Sequence, residues 1–155
     1  MNWLRRFAPK FELDYSKMIF LDAEELAEAG IARAYDSLLP ELRKCVSNTA
    51  EIEEIVDNSA PTYLVRWRDV KYPIYSPPVD QADAWARATC TFFKIVNDQL
   101  AASDYRLYAI NGGNDLGGMF LTESEWKEAQ RSLPRKLDWP YLPTLDAPWF
   151  GQFRD

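Results

Sequence analysis

Between two apolar, alternating runs, Tyr105-Arg-Leu-Tyr-Ala-Ile110 and Met119-Phe-Leu121, lies Asn111-Gly-Gly-Asn-Asp-Leu-Gly-Gly118, which holds four of the chain's six glycines. Asn-Gly supplies the positive φ angles of a tight turn, and Gly117-Gly118 permits a bulge or a close backbone approach. A polar glycine turn joining two such runs commits the segment to a hairpin, and hence to antiparallel pairing. A second hairpin is expected upstream. Thr62-Tyr-Leu-Val-Arg-Trp67 and Tyr72-Pro-Ile-Tyr75 are aromatic and β-branched with period two, and Arg68-Asp-Val-Lys71 forms the polar bend between them. Pro73 puts the second strand at a sheet edge or shortens it.

Helices are expected around these hairpins. Lys17-Met-Ile-Phe-Leu21 reads as a short buried strand, and Asp22-Ala-Glu-Glu25 has capping-box spacing. The helix it opens carries Leu26, Ile31, Ala34, Tyr35, Leu38 and Leu39 on one side; Gly30 weakens it, and Pro40 is expected to kink or restart it before Leu42, Cys45 and Val46. Asn48 to Asp57 reads as a second short helix, with Asn48 and Glu51 as caps and Ile52, Ile55 and Val56 as its stripe. After Pro77-Pro78, Asp80 can cap the longest helix, over residues 81–102, with Trp85, Ala88, Phe92, Ile95, Val96 and Leu100 inward. Thr122-Glu-Ser-Glu125 is a further capping box, opening a helix to Ser132. The remainder, with Pro134, Pro140, Pro143 and Pro148 among Trp139, Tyr141, Leu142, Trp149 and Phe150, cannot be regular. The expectation is an α+β fold: an antiparallel sheet built from two hairpins, helices packed on one face, and an irregular Pro/aromatic strap over 134–155. At 155 residues the chain fits a single globular domain, with 1–10 as a terminal segment.

Composition narrows the function. Eight Phe, eight Tyr and six Trp supply a sizeable core and exclude the disordered class. The net charge of −6 is uneven: residues 1–10 carry +3, residues 11–60 carry −8 and residues 61–155 carry −1. Acidity concentrated in the first third disfavours nucleic acid and suits a basic protein partner. No run approaches the ~20 apolar residues of a membrane span, and Met1 to Lys10 lacks the apolar stretch of a signal peptide, so a cytoplasmic location is expected. The two cysteines, Cys45 and Cys90, read as buried, reduced thiols; they build neither a disulfide framework nor a zinc site.

There is no histidine. That removes Ser-His-Asp and Cys-His catalysis and imidazole metal ligation, and leaves carboxylate, Lys or Tyr chemistry open. No local motif supports any of these, so no catalytic residue, metal ligand or cofactor is assigned. Two candidate partner-binding segments remain. The acidic run Glu51, Glu53, Glu54 and Asp57, preceded by Glu24, Glu25 and Glu28, reads either as a solvated helix face or as a surface presented to lysines and arginines. The loop residues Asn111, Gly112, Gly113, Asn114 and Asp115 read either as a structural turn or as an anion nest. Their spacing fits neither the dinucleotide fingerprint nor the phosphate loop, and Asp115 alone cannot make a calcium loop. The aromatic strap is core packing or an exposed hydrophobic patch for a partner or a homodimer.

The stretch Tyr108-Ala-Ile-Asn-Gly-Gly-Asn-Asp-Leu-Gly-Gly-Met-Phe-Leu-Thr122, with the acidic helix after it and Asp138-Trp-Pro-Tyr-Leu-Pro143, resembles small uncharacterised bacterial proteins. More loosely, it resembles the immunity proteins that neutralise toxins delivered between competing bacteria. The match covers about a quarter of the chain and brings no functional residue with it. It implies an acidic, cytoplasmic α+β protein that blocks a toxin by direct binding. Three function classes follow: a non-catalytic binding inhibitor, then a small-molecule-binding protein or carboxylate enzyme, then a homo-oligomeric structural module.

Overall fold

The computed structural model describes residues 11–76 and 83–145. The 1–10 segment, the Asp80 cap and the strap beyond Leu145 lie outside them. In chain order the elements are β1 (Ile19–Phe20), α1 (Ala23–Glu25), α2 (Ile31–Leu42), β2 (Glu53–Asp57), β3 (Thr62–Trp67), β4 (Val70–Tyr75), α3 (Ala84–Gln99), β5 (Tyr105–Ile110), β6 (Gly117–Thr122) and α4 (Glu123–Ser132). The fold is α+β and all strand pairing is antiparallel. The two expected hairpins do form, but they do not share a sheet. One sheet has the order β1-β6-β5 and the other β2-β3-β4.

The central helix α3 explains the separation. It packs on β4 of one sheet and on β5 of the other, with Ala88, Phe92, Phe93, Ile95, Val96 and Leu100 in the main core. Leu107 and Ala109 of β5 face this core. Their alternates Tyr108 and Ile110, with Met119 and Leu121 of β6, form a second cluster with Leu13 and Ala129 of α4. Helices therefore cover both faces of the β1-β6-β5 sheet, where one covered face was expected. The alternation Leu107/Tyr108/Ala109/Ile110 is apolar at every position, the signature of a strand buried on both sides.

Three further expectations change. Residues 53–57 form a strand, not the end of a helix. Ile52, Ile55 and Val56 suit either period, and pairing with β3 across a turn decides for the strand: Glu53 sits opposite Arg66 and Asp57 opposite Thr62. Asp57 Oδ1 accepts from Ser59 N (2.9 Å) and Ser59 Oγ (2.7 Å), which closes that turn. The break in the first helix lies at Glu28 and Ala29 (φ 60°, ψ 35°), not at Pro40, which sits within the last turn of α2. Gly30 is required there: a Cβ would lie 2.2 Å from the Glu25 carbonyl oxygen. Third, Asp22 caps α1 through Glu24 N (2.9 Å), whereas among the described residues the reciprocal capping box forms only at Thr122 and Glu125. The hairpin bend narrows to Arg68-Asp69, both at positive φ, the requirement of a two-residue type I′ turn.

Candidate functional site

The loop 111–118 is a structural clamp. Asn114 Nδ2 donates to Asp22 Oδ1 and Glu24 Oε1, both at 3.2 Å, tying the turn to the start of α1. The Asn111 carbonyl accepts from Tyr141 Oη at 2.6 Å. Asn111 and Gly113 adopt positive φ, residues Gly113–Asp115 form a single 3-10 turn, and Gly112 is extended. Gly113 is buried, while Asp115 is exposed. The residues are together, as the sequence suggests; the Asn114 amide and the Asn111 carbonyl are engaged within the fold, while the Asp115 side chain faces outward.

The acidic run divides. Glu54 projects from β2 to the N-terminus of α2, where its Oε2 lies 3.5 Å from Ala32 N and accepts from the Tyr63 hydroxyl. That hydroxyl in turn accepts from Ile31 N at 3.1 Å. Gly30, which precedes α2, has no side chain to cap it, so Tyr63 and Glu54 do so from another element. Burial and the neighbouring carboxylate push the Tyr63 phenol well above its ordinary range. Glu53 faces the opposite side of the sheet and pairs with Arg66. Asp57 is held below the usual carboxylate range by the Ser59 hydroxyl and backbone. Glu51 and Asp57 are exposed, and Val56 between them is 46 % exposed.

Edge status separates this strand from the others. Each three-stranded sheet has two edges. β1 is two residues long. β5 is covered twice. Asn97 offers its amide to Leu107 as a strand would, donating to Leu107 O (3.0 Å) and accepting from Leu107 N (2.7 Å), and Tyr141 exchanges both backbone bonds with Ala109. β4 carries Pro73, and Arg87 Nε donates to Ile74 O at 2.7 Å. β2 spans five residues, and among the described residues no other segment bonds to its outer backbone groups. Among the described residues, charge is what guards this edge.

The strap up to Leu145 is mostly packing. Tyr141 is buried, Trp126 Nε1 donates to Pro140 O (2.9 Å) and Trp139 Nε1 to Leu133 O (2.9 Å), while Leu142 and Leu145 lie outside. Among the surface clefts, two are the roomiest of those described. One of about 570 Å³ contains Asp104, Glu123, Tyr108 and Trp126; its Arg106 is engaged with the Leu100, Ser103 and Tyr105 carbonyls, between the end of α3 and the start of β5. The other, about 650 Å³, contains Lys17, Tyr105, Phe120 and the Glu41–Lys44 pair. Among the described residues no group of three or more carboxylates or thiols is placed to hold a metal ion, and no helix is long and apolar enough to cross a membrane. Burial raises both thiols, Cys90 to about 11.

No protein-family model matches the chain, and neither the curated proteins nor the solved structures compared with it give a match. The site therefore rests on its own geometry. Sequence reasoning found the acidic residues but put them on a helix, and so missed that three of them lie on a strand at the edge of a sheet. It also missed Arg66, Asn97 and Arg106, whose partners lie on other elements or at the end of a neighbouring helix.

Proposed function

We propose that this chain is a non-catalytic protein-binding module of the immunity type, which acts by seating a basic partner and so blocking it. The observation that carries the reading is the β2 edge, to which no other described segment bonds, bearing the exposed acidic residues Glu53 and Asp57 with Glu51 just before it. Strand edges that lack a covering segment are ready-made templates for another chain, and complementary charge speeds encounter and selects the partner. The fit to a blocked toxin comes from the resemblance of residues 108–122 and 138–143 to immunity proteins, together with this acidity. The cytoplasmic setting belongs to the same reading.

The test is co-expression of the chain with the products of the genes adjoining its own. Relief of growth arrest by one of them, together with a stoichiometric complex in sedimentation, is the expected outcome. Neither protection nor complex with any of them would overturn the proposal. A small-molecule role predicts instead that a ligand in the 570 Å³ or 650 Å³ cleft protects Trp126 or Cys45 from chemical modification.

A further inference from the structure

We infer that β2 takes up its partner by strand addition, and that the occupant is an extended segment with Lys or Arg at both ends of a five-residue core and β-branched residues between. This rests on the protein-binding reading and specifies its mode. Side chains of a strand alternate between faces. Glu53, Ile55 and Asp57 lie on the outer face with Arg66, Leu64 and Thr62 of β3, whereas Glu54 and Val56 lie on the inner face with Val65 and Tyr63. Opposite Asp57 an added strand meets a carboxylate, and opposite Glu53 an exposed one whose Oε2 already pairs with Arg66; opposite Ile55 and Val56 it meets apolar side chains. The turn at Ser59 uses only Oδ1 of Asp57. A slip of one residue sets the cations against Val56 and Ile52, or against Asn58 and the core-side Glu54, so the pattern also sets the register.

A second copy of this chain is the other obvious occupant, and charge opposes it. Antiparallel pairing of two β2 strands about Ile55 sets Glu53 against Asp57 of the other copy, twice, and like charges directly opposite are destabilising. No other edge competes for the role. β1 is too short, β4 holds Pro73, and β5 is occupied by Asn97 and Tyr141.

The probe is a capped peptide with the core Lys-Val-Ile-Thr-Lys, which in antiparallel register meets Asp57, Val56, Ile55, Glu54 and Glu53 in that order. It is compared with the same peptide carrying Glu at both ends and with one carrying Pro at the centre. The expected result is saturable binding of the basic peptide by the intact chain, with slowed amide exchange at alternate residues of 53–57. The two control peptides should bind at least about tenfold more weakly, the span expected when two cross-strand charge pairs are reversed or the ladder is broken. Glu53→Lys should lose about tenfold for the basic peptide, and a peptide with Glu at its last core position should restore the loss. Glu53→Gln, which removes the charge with little change in shape, should give an intermediate loss.

No binding near ~1 mM would overturn the inference. So would equal binding of the proline peptide, or protection confined to residues outside 53–57. Concentration-dependent self-association that protects β2 would overturn it in favour of a second copy. A partner that protects cells and binds tightly while β2 amides still exchange freely would sink strand addition alone and leave the protein-binding reading intact.

Discussion

Tyr63→Phe isolates the cross-element cap that removes Glu54 from the list of free binding residues. Tyr63 and Ile31 are both fully buried. The hydroxyl accepts from Ile31 N at 3.1 Å and donates to Glu54, whose Oε2 also lies 3.5 Å from Ala32 N. Deleting the oxygen leaves a buried helix N–H without its acceptor and takes one donor from the carboxylate. An unsatisfied buried donor costs about 1–3 kcal/mol, and the lost bond to a charged group falls within the same bracket, so the expected destabilisation is about 2 kcal/mol. Glu54→Gln keeps an acceptor and removes the charge at the helix N-terminus, for a smaller loss of about 0.5–1 kcal/mol. Because the two side chains touch, their double variant should deviate from additivity by at least ~0.5 kcal/mol. Urea unfolding is the assay: the midpoint should fall while m stays constant, and Tm should drop by roughly 4–8 °C. A loss below ~0.5 kcal/mol for Tyr63→Phe, or strict additivity, would refute the cap. The same variants should leave affinity for the basic peptide nearly unchanged, since Glu54 faces the core side of the sheet.

Gly30→Ala should cost roughly 2–4 kcal/mol or prevent folding, because its Cβ meets the Glu25 backbone oxygen, which cannot move aside; wild-type stability in thermal unfolding would count against this. Asp69→Gly should stabilise by about 0.5–1 kcal/mol by relieving a positive φ of 63°, a gain that a urea titration can read. Cys90, at about 11, should be alkylated near neutral pH roughly 100-fold more slowly in the native chain than in denaturant. The sign for stability follows: the unfolded chain releases this proton first, so stability falls as pH rises from about 9 towards 11. A native alkylation rate equal to the denatured one would contradict that burial.

Local chemistry was readable without coordinates. The Thr122/Glu125 box, the hairpin between Tyr105 and Thr122, the strands around Trp67 and the α3 core stripe all depend on neighbours within a few residues. The helix expected over 81–102 forms as α3, which ends at Gln99; its expected first residues lie outside the described ones. The strand at 17–21 shortened to Ile19–Phe20.

What the sequence by itself determined was the class of the fold, the antiparallel hairpins, the lack of imidazole chemistry and the concentration of acidity before residue 61. Each follows from residue type and spacing over short distances. Only the tertiary structure decided that residues 53–57 are a strand and that the hairpins belong to different sheets. It alone put α4 opposite α3, gave α2 its cap from Tyr63 and Glu54, and left β2 as the edge to which no other described segment bonds. Ile55 and Val56 serve a helix or a strand equally well until β3 offers hydrogen bonds to them. An edge is open or covered only in relation to segments far away in the chain, and no local pattern encodes that.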